Sequence, residues 1–318
     1  MDGQHSDILI IGAGMAGLAC ASVLAQAGRE VRVLDKGRGP GGRMAARRTE
    51  IAGETVSFDH GAQYFTARDP VFREAVEAWQ KLGAVARWPA VGDDAWVGAP
   101  GMNGPIRAIA EKLDVNWSTR AERITRNGTC WSIATADAVF TADTVLIAVP
   151  AEQAGELLEL PAPNLAAIAA QVESAPCWAV MAGFAEPLDI SADALGDPDA
   201  AISWAARNSA KPGRSGEECW VLHASPARSR EILDLPKEDV ATLLLADFFA
   251  QTGARPVEPA HLAAHRWLYA MPASIEGEPA RFDAEHHIGI AGDYLHSPRV
   301  EGAFLSGRAL ANQVLKQG

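Results

Sequence analysis

The chain has few cysteines, a deficit of positive charge, and no stretch long and apolar enough to cross a bilayer. Its four cysteines, Cys20, Cys130, Cys177 and Cys219, stand far apart with no C-x-x-C pair and no neighbouring histidine. That spacing excludes a disulfide framework and a zinc-type cluster, so reduced thiols in a cytoplasmic protein, and no metal, are expected. Lys and Arg number 28 against 40 Asp and Glu, a formal net charge of −12. A chain so acidic is an unsuitable partner for a nucleic-acid backbone or an anionic membrane. Residues Ile8 to Gly28 carry no charge, but the run holds four glycines and Met1–Asp7 offers no Lys or Arg, so neither a secretion signal nor a membrane anchor is expected. No repeat or low-complexity segment is present. What remains, 318 residues of ordinary globular composition, predicts two domains.

The most informative stretch opens the chain. Ile8–Ile11 is a short aliphatic run suited to a strand buried on both faces. It runs into Gly12-Ala13-Gly14-Met15-Ala16-Gly17, then a helix over Leu18–Ala27 ended by Gly28, then a strand Glu30–Leu34 ending on Asp35. In this context each glycine has its own mechanical reason. Gly12 permits the tight turn, Gly14 admits a diphosphate to the backbone, and Gly17 lets helix and strand approach. The helix N-terminus offers oriented N–H groups to phosphates, and Asp35 can accept from a ribose hydroxyl. This pattern predicts a dinucleotide site.

Lys36 to Arg48 follows as a glycine- and arginine-rich loop, whose backbone N–H groups and Arg43 can continue an anion site. Phe58–Phe65 places Gly61-Ala62-Gln63 between aromatics, which suits backbone passing close to a flat ring. Asp69-Pro70 starts a helix with Phe72, Val76 and Trp79 on one face and Gly83 at its end. Further on come a strand at Ala95–Ala99, a helix at Ile106–Leu113, and strands at Val115–Ser118, Glu122–Arg126 and Thr129–Ala134. The last two are joined at Asn127-Gly128. Asp143–Pro150 reads as a buried strand returning to the first sheet. A Trp-rich middle offers strands at Cys177–Phe184, Ala201–Ala205, Cys219–Ala224 and His261–Tyr269, with helices at Pro226–Leu233 and Lys237–Gln251. Ile288–Asp293 and a helix from Val300 close the chain.

GAGMAG, DKGRGPGGRMAARR, FDHGAQYFTARD and AGDYLHSPRVEGAFLSG occur in this order across nearly the whole chain. In them the sequence resembles bacterial members of the renalase family, FAD-dependent oxidases within the flavin amine oxidase superfamily. The resemblance implies an α/β fold: a Rossmann-type FAD-binding domain over 1–69, 100–155 and 281–318, and a smaller mixed-sheet α+β substrate domain over 70–99 and 156–280. It implies non-covalent FAD held by the Gly12–Gly17 turn, with Asp35 and Lys36 at the adenosine. Gly42, Arg43 and Met44 would lie along the diphosphate and flavin side, Gly61–Gln63 beside the ring, and Gly292, Asp293, Val300, Gly302 and Ala303 at the ribityl and pyrimidine end. Tyr64, Asn208, His223 and Trp267 match the substrate pocket, with no acid or base among them assigned.

Family members of this kind take hydride from mis-reduced nicotinamides, the 2- or 6-dihydro isomers of NAD(P), release NAD(P)⁺, and pass electrons to O₂ to give H₂O₂. A dihydropyridine becomes aromatic by losing hydride alone, so what the protein must supply is orientation and stacking. The alternative is oxidation of a small amine or amino acid, for which much of the superfamily keeps a lysine near the flavin. Lys36, Lys81, Lys112, Lys211, Lys237 and Lys316 all read as loop or helix-surface residues, which favours the first activity. The single dinucleotide fingerprint makes a nicotinamide substrate a transient visitor.

Overall fold

The computed structural model describes residues 5–216 and 218–317; Met1–Gln4, part of the Met1–Asp7 stretch that offers no Lys or Arg, lie outside them. Strand β1 (His5–Ile11) is buried from Ile8 onward, as an unbroken aliphatic run requires. It pairs in parallel with β2 (Val31–Leu34) on one side and with Val139–Ile147 on the other. The connecting helix α1 (Met15–Gln26) is followed by Gly28 at φ +81°, a backbone conformation that favours glycine. Ile288–Ala291 joins the far side of Val139–Ile147, again in parallel, so both segments expected to return to the sheet do so. The two ends of the chain therefore share one sheet. The final helix, Val300–Leu315, crosses α1 so closely that a Cβ on Gly307 would overlap the Ala16 carbonyl.

The loop expected to run on to Arg48 gives way at Ala46 to a hairpin, β3 (Ala46–Ile51) and β4 (Glu54–Asp59). Its two turn residues, Ala52 and Gly53, both have positive φ, as a two-residue hairpin turn requires. Helix α2 (Pro70–Lys81) begins as expected, with the Asp69 carboxylate accepting from the Val71 and Phe72 N–H groups. Phe72 and Trp79 are buried against Phe304 of the final helix, with ring centroids 5.1 and 5.9 Å away. Burial of each such side chain contributes about 1.5–3 kcal/mol. Residues 70–99, grouped above with the substrate unit, thus have their helix packed on the Rossmann side.

The Trp-rich middle forms a five-stranded sheet in the order Ala194–Gly196, Ile202–Arg207, Glu218–Ala224, Ser174–Phe184, His261–Pro272. A mixed sheet is the sequence expectation; in the structure every pairing within it is antiparallel. The first four strands in chain order are joined without an α-helix, as antiparallel pairing allows, and α-helices occur only in the long connection from Glu218–Ala224 to His261–Pro272. Alternation divides its faces: Val180, Ala182, Trp220 and Leu222 pack on the helix Lys237–Thr252, while Met181, Cys219 and Val221 pack on Val56 and Phe58 of β4. The hairpin therefore lies against the second sheet and carries the chain onward into a large internal cavity.

Candidate functional site

That cavity, about 2090 Å³, extends from the Gly12–Ala16 turn to the second sheet. Single-ligand sites typically occupy roughly 300–1,000 Å³, so there is room for a dinucleotide and a second molecule. At the turn, Gly12, Gly14, Met15 and Ala16 line the space, whereas Ala13 and Gly17 do not. The Ala13 N–H donates to Asp35 Oδ2 (2.7 Å) and the Gly37 N–H to Asp35 Oδ1 (2.6 Å), so this carboxylate ties two loops together at the cavity edge. Gly17 is held against Gly12, whose carbonyl oxygen a Cβ would overlap. A Cβ on Gly14, by contrast, would meet no protein atom within 4 Å. The turn is a bare backbone cradle open to the cavity, which fits the diphosphate of FAD.

Arg43 and Asp293 form a bidentate ion pair at 2.6 and 2.8 Å, joining the first glycine loop to the closing segment. Arg43 also fixes the backbone expected beside the ring: the Ala62 N–H donates to its carbonyl at 2.8 Å, and a Cβ on Gly61 would overlap that oxygen. Lys36, Gly42, Met44, Gly292, Val300 and Ala303 line the cavity. Gly302 does not, being packed on the Ser297 carbonyl. Glu301, which also lines the cavity, accepts from the Arg68 and Asp69 N–H groups (2.6 and 2.7 Å) at the start of α2.

Of the four expected substrate-pocket residues, Tyr64, His223 and Trp267 line the cavity. Tyr64 lies 5.4 Å from Trp204, centroid to centroid, and Trp267 Nε1 donates to the His60 carbonyl at 2.8 Å. Asn208 is fully buried outside it: its Oδ1 accepts from the Asp59 N–H (3.1 Å) and its Nδ2 donates to the Ser57 carbonyl (2.7 Å), latching β4 to the second sheet. The amide that resembles a pocket residue is a structural clasp in this chain.

The sequence gives no warning of what lies behind Gln63. Lys211, which reads as a surface-loop lysine, has no exposed side-chain area, and neither do Asp59 and Arg214 beside it. Lys211 Nζ donates to Gln63 Oε1 (3.0 Å) and pairs with Asp59 Oδ2 (3.4 Å). Arg214 donates to the same carboxylate and to the Gly98 carbonyl (2.6 Å), and the Met102 N–H donates to Asp59 Oδ1 (2.8 Å). Burial pushes the Asp59 carboxyl up, but Lys211, Arg214 and the Met102 N–H outweigh it and hold it below its ordinary value. Burial lowers Lys211 to about 8, with Asp59 opposing and Arg214 assisting. Since an ammonium only donates, Lys211 fixes the Gln63 oxygen toward itself and turns Nε2 toward His223 Nε2, 3.4 Å away. The amide's two N–H groups point at the Asp59 and Gly61 carbonyls (3.0 Å to the latter), which fixes the Gln63 side chain beside the imidazole.

His60, His223 and His265 are each held down to about 4, chiefly by burial. Unfolded histidine titrates near 6.5, so below that pH the unfolded chain binds protons that the folded chain refuses. These groups therefore contribute stability that is complete above about pH 6.5 and lost as pH falls toward 4, with a slope of up to about 1.4 kcal/mol per pH unit for each histidine. Urea midpoints of the FAD-saturated protein are expected to drop between pH 7 and 5, and His60→Gln to flatten the fall. A pH-independent midpoint over that range is the opposing result.

One cluster lies elsewhere. His5, Cys130 and Asp143, from three neighbouring strands, bring ligand-type atoms within 4.8 Å of one another at the sheet surface. His5 and Asp143 are 3.7 Å apart, and Cys130 Sγ donates to Asp143 at 3.5 Å. Among the described residues no helix is long and apolar enough to cross a membrane.

The pattern of an NAD(P)-binding Rossmann-like domain matches residues 10–79, and that of flavin containing amine oxidoreductase matches residues 89–315. Solved structures share the fold at low identity. A candidate protoporphyrinogen oxidase from Exiguobacterium sp. 255-15 superposes with a TM-score of 0.75 at 14% identity, over 100% of both chains. A putrescine oxidase double mutant gives 0.69 at 13%, over 98% of this chain and 99% of that one. Cyclohexylamine oxidase from Brevibacterium oxydans gives 0.64 at 12%, over the same shares.

Proposed function

The chain belongs to the flavin-containing amine oxidoreductase family and uses FAD, and within that family we propose that it oxidises mis-reduced nicotinamide dinucleotides, the 2- and 6-dihydro isomers of NAD(P). The supporting observation is the chemistry of the cavity wall contributed by the second sheet. Trp204, His223, His265, Trp267 and Tyr269 line it, and among its described residues there is no carboxylate to receive an ammonium group. Flat rings interspersed with neutral imidazoles suit a heteroaromatic ring better than a cationic amine.

FAD supplies the hydride-accepting N5 and, through its reoxidation by O₂, the route to H₂O₂. The Gly12–Ala16 turn and Asp35 would hold its adenylate half, Arg43 and Asp293 its middle, and the Gly61–Gln63 backbone its ring. In sum, dihydro-NAD(P), one proton and O₂ give NAD(P)⁺ and H₂O₂. Because aromatisation follows from hydride loss alone, no base is required, in accord with a His223 that burial keeps neutral. Tyr64, Trp204 and Trp267 would stack the dihydropyridine and exclude water, and Gln63, held by Lys211, would orient His223 against it.

A second reading, oxidation of a small amine, draws support from Lys211, a buried lysine lowered to about 8 just behind Gln63. Anaerobic mixing separates the two. With 2- or 6-dihydro-NAD the flavin absorbance is expected to bleach within the mixing time, with ordinary NADH far more slowly, and with putrescine or cyclohexylamine not at all. Bleaching by an amine alone would transfer the assignment to the second reading.

A further inference from the structure

Beside Trp267 the substrate wall holds two histidines for which hydride transfer has no use. His60 follows β4, while His265 and Trp267 lie two residues apart on the strand His261–Pro272 and so share a face. The three rings form one cluster: His60 stacks on Trp267 at 5.2 Å and 28°, and His265 stands edge-on to His60 at 4.8 Å and tilted to Trp267 at 4.4 Å. All three line the cavity. Although His60 is only 6% exposed, its Nδ1 has no hydrogen-bond partner among the described residues.

Arg47 stands over this cluster. On β3 it faces Phe58 of β4, whose ring stacks on His261 at 5.7 Å. Arg47 is exposed, lines the cavity, and has no carboxylate or carbonyl partner among the described residues. In this it differs from Arg43, Arg214 and Arg266, each of which is bonded to protein oxygen, but not from Arg48, Arg68 or Arg120 elsewhere on the cavity wall; what sets Arg47 apart is the histidines around it. Its charge reaches all three histidines, adding to burial in keeping His60, His261 and His265 unprotonated.

An unpaired guanidinium beside neutral imidazoles is a receptor that lacks its anion. A guanidinium offers a planar fork matched to two phosphate oxygens, and each imidazole can add an N–H donor. A dianion arriving there would also relieve the repulsion that Arg47 imposes on the rings. We infer that Arg47, His60 and His265 form a subsite for the diphosphate of a nucleotide substrate, separate from the Gly12–Ala16 cradle that receives the diphosphate of FAD. The inference rests on the dinucleotide reading given above and extends it, assigning the part of the substrate remote from the reacting ring to named residues. Binding energy collected there would position the dihydropyridine without contacting it.

The test uses the FAD-loaded enzyme, in which the cradle is already filled. Inorganic pyrophosphate, followed by calorimetry and by the flavin difference spectrum, is expected to bind, and Arg47→Gln to weaken it by at least tenfold, with Arg47→Lys in between. For turnover, the readout is the ratio of kcat/KM for 6-dihydro-NAD to that for dihydronicotinamide riboside, which has the same ring and no phosphate. Arg47→Gln is expected to lower this ratio at least tenfold through KM. Equal pyrophosphate affinity in wild type and Arg47→Gln would overturn the subsite, as would an unchanged ratio. Should pyrophosphate binding depend on Arg47 while neither dihydronicotinamide bleaches the flavin, the anion subsite stands and the substrate assignment fails.

Discussion

Replacing Asp59 by asparagine is expected to destabilise the folded protein by about 3–5 kcal/mol, the cost of stranding buried charge. The side chain keeps its shape, and its Oδ1 can still accept from the Met102 N–H. What disappears is the one carboxylate shared by two cations that have no exposed side-chain area. Lys211, already lowered to about 8, can escape by releasing its proton. Arg214 cannot, since guanidinium stays charged at any accessible pH, and it keeps only carbonyl partners at Gly98 and Pro212. Against a typical total of roughly 5–15 kcal/mol, the loss is large. Urea unfolding of FAD-saturated protein measures it, and Lys211→Met added to Asp59→Asn is expected to recover part. The sign with pH is fixed. A carboxyl held below its ordinary value stabilises the fold above the unfolded value of about 3.9 and stops doing so as pH falls through the folded one. The gap between wild type and Asp59→Asn should therefore be full at pH 6 and close in strong acid. A change under about 1 kcal/mol at pH 6 would mean that the pair is solvated like a surface salt bridge.

This charge cluster marks where reading the sequence ends. The Rossmann unit, the capped start of α2 and the hairpin near Asn127-Gly128, whose turn falls one residue on at Gly128-Thr129 with Asn127 paired to Cys130, are legible because each is specified by residues adjacent in the chain. In α2, for example, Asp69, Pro70 and the Phe72/Val76/Trp79 stripe all state the same helix. Lys211 lies in a Lys-Pro-Gly-Arg-Ser-Gly run whose local chemistry describes an exposed turn, and only contact with Asp59, 152 residues earlier, takes it into the interior. The hairpin of β3 and β4 is hidden for a related reason. Ala46–Ile51 is polar because much of β3 faces solvent or the cavity, and its turn is Ala-Gly in place of the usual Asn-Gly. Asn208 shows the opposite failure. A short stretch resembling a pocket motif suggested a ligand contact, while the amide's donors and acceptors are engaged by the backbone of β4. The histidine cluster could be half seen, since His265 and Trp267 alternate along one strand, but His60 joins them from another part of the chain.

Two glycines of the same turn are expected to fail in different ways, and the contrast bears directly on the cofactor. Gly14 has φ −77° and ψ −175°, extended backbone that any residue adopts, and an added Cβ touches nothing in the protein. Gly14→Ala should therefore fold, at a cost of about 1 kcal/mol or less for the poorer N-cap. Yet Gly14 lines the cavity, and with no protein atom near its Cβ position the methyl would take up open space at the cradle. A diphosphate pressed against this backbone loses its approach to the helix N-terminus. Crowding of this kind costs about 1–3 kcal/mol, which weakens FAD binding roughly 5- to 150-fold. Gly17 has no such freedom. Its Cβ would overlap the Gly12 carbonyl, and Gly12 is fixed in turn by its N–H donating to the Leu34 carbonyl at 2.8 Å. Gly17→Ala should force strand and helix apart and lower the stability of the flavin-free protein itself. Flavin absorbance per chain after gel filtration, read beside thermal unfolding without FAD, separates the outcomes: Gly14→Ala colourless with near-normal unfolding, Gly17→Ala unfolding early. If Gly14→Ala retains full flavin with unchanged affinity, the diphosphate does not lie against this turn, and the placement of Arg43, Asp293 and the Gly61–Gln63 backbone around the rest of the cofactor loses its anchor.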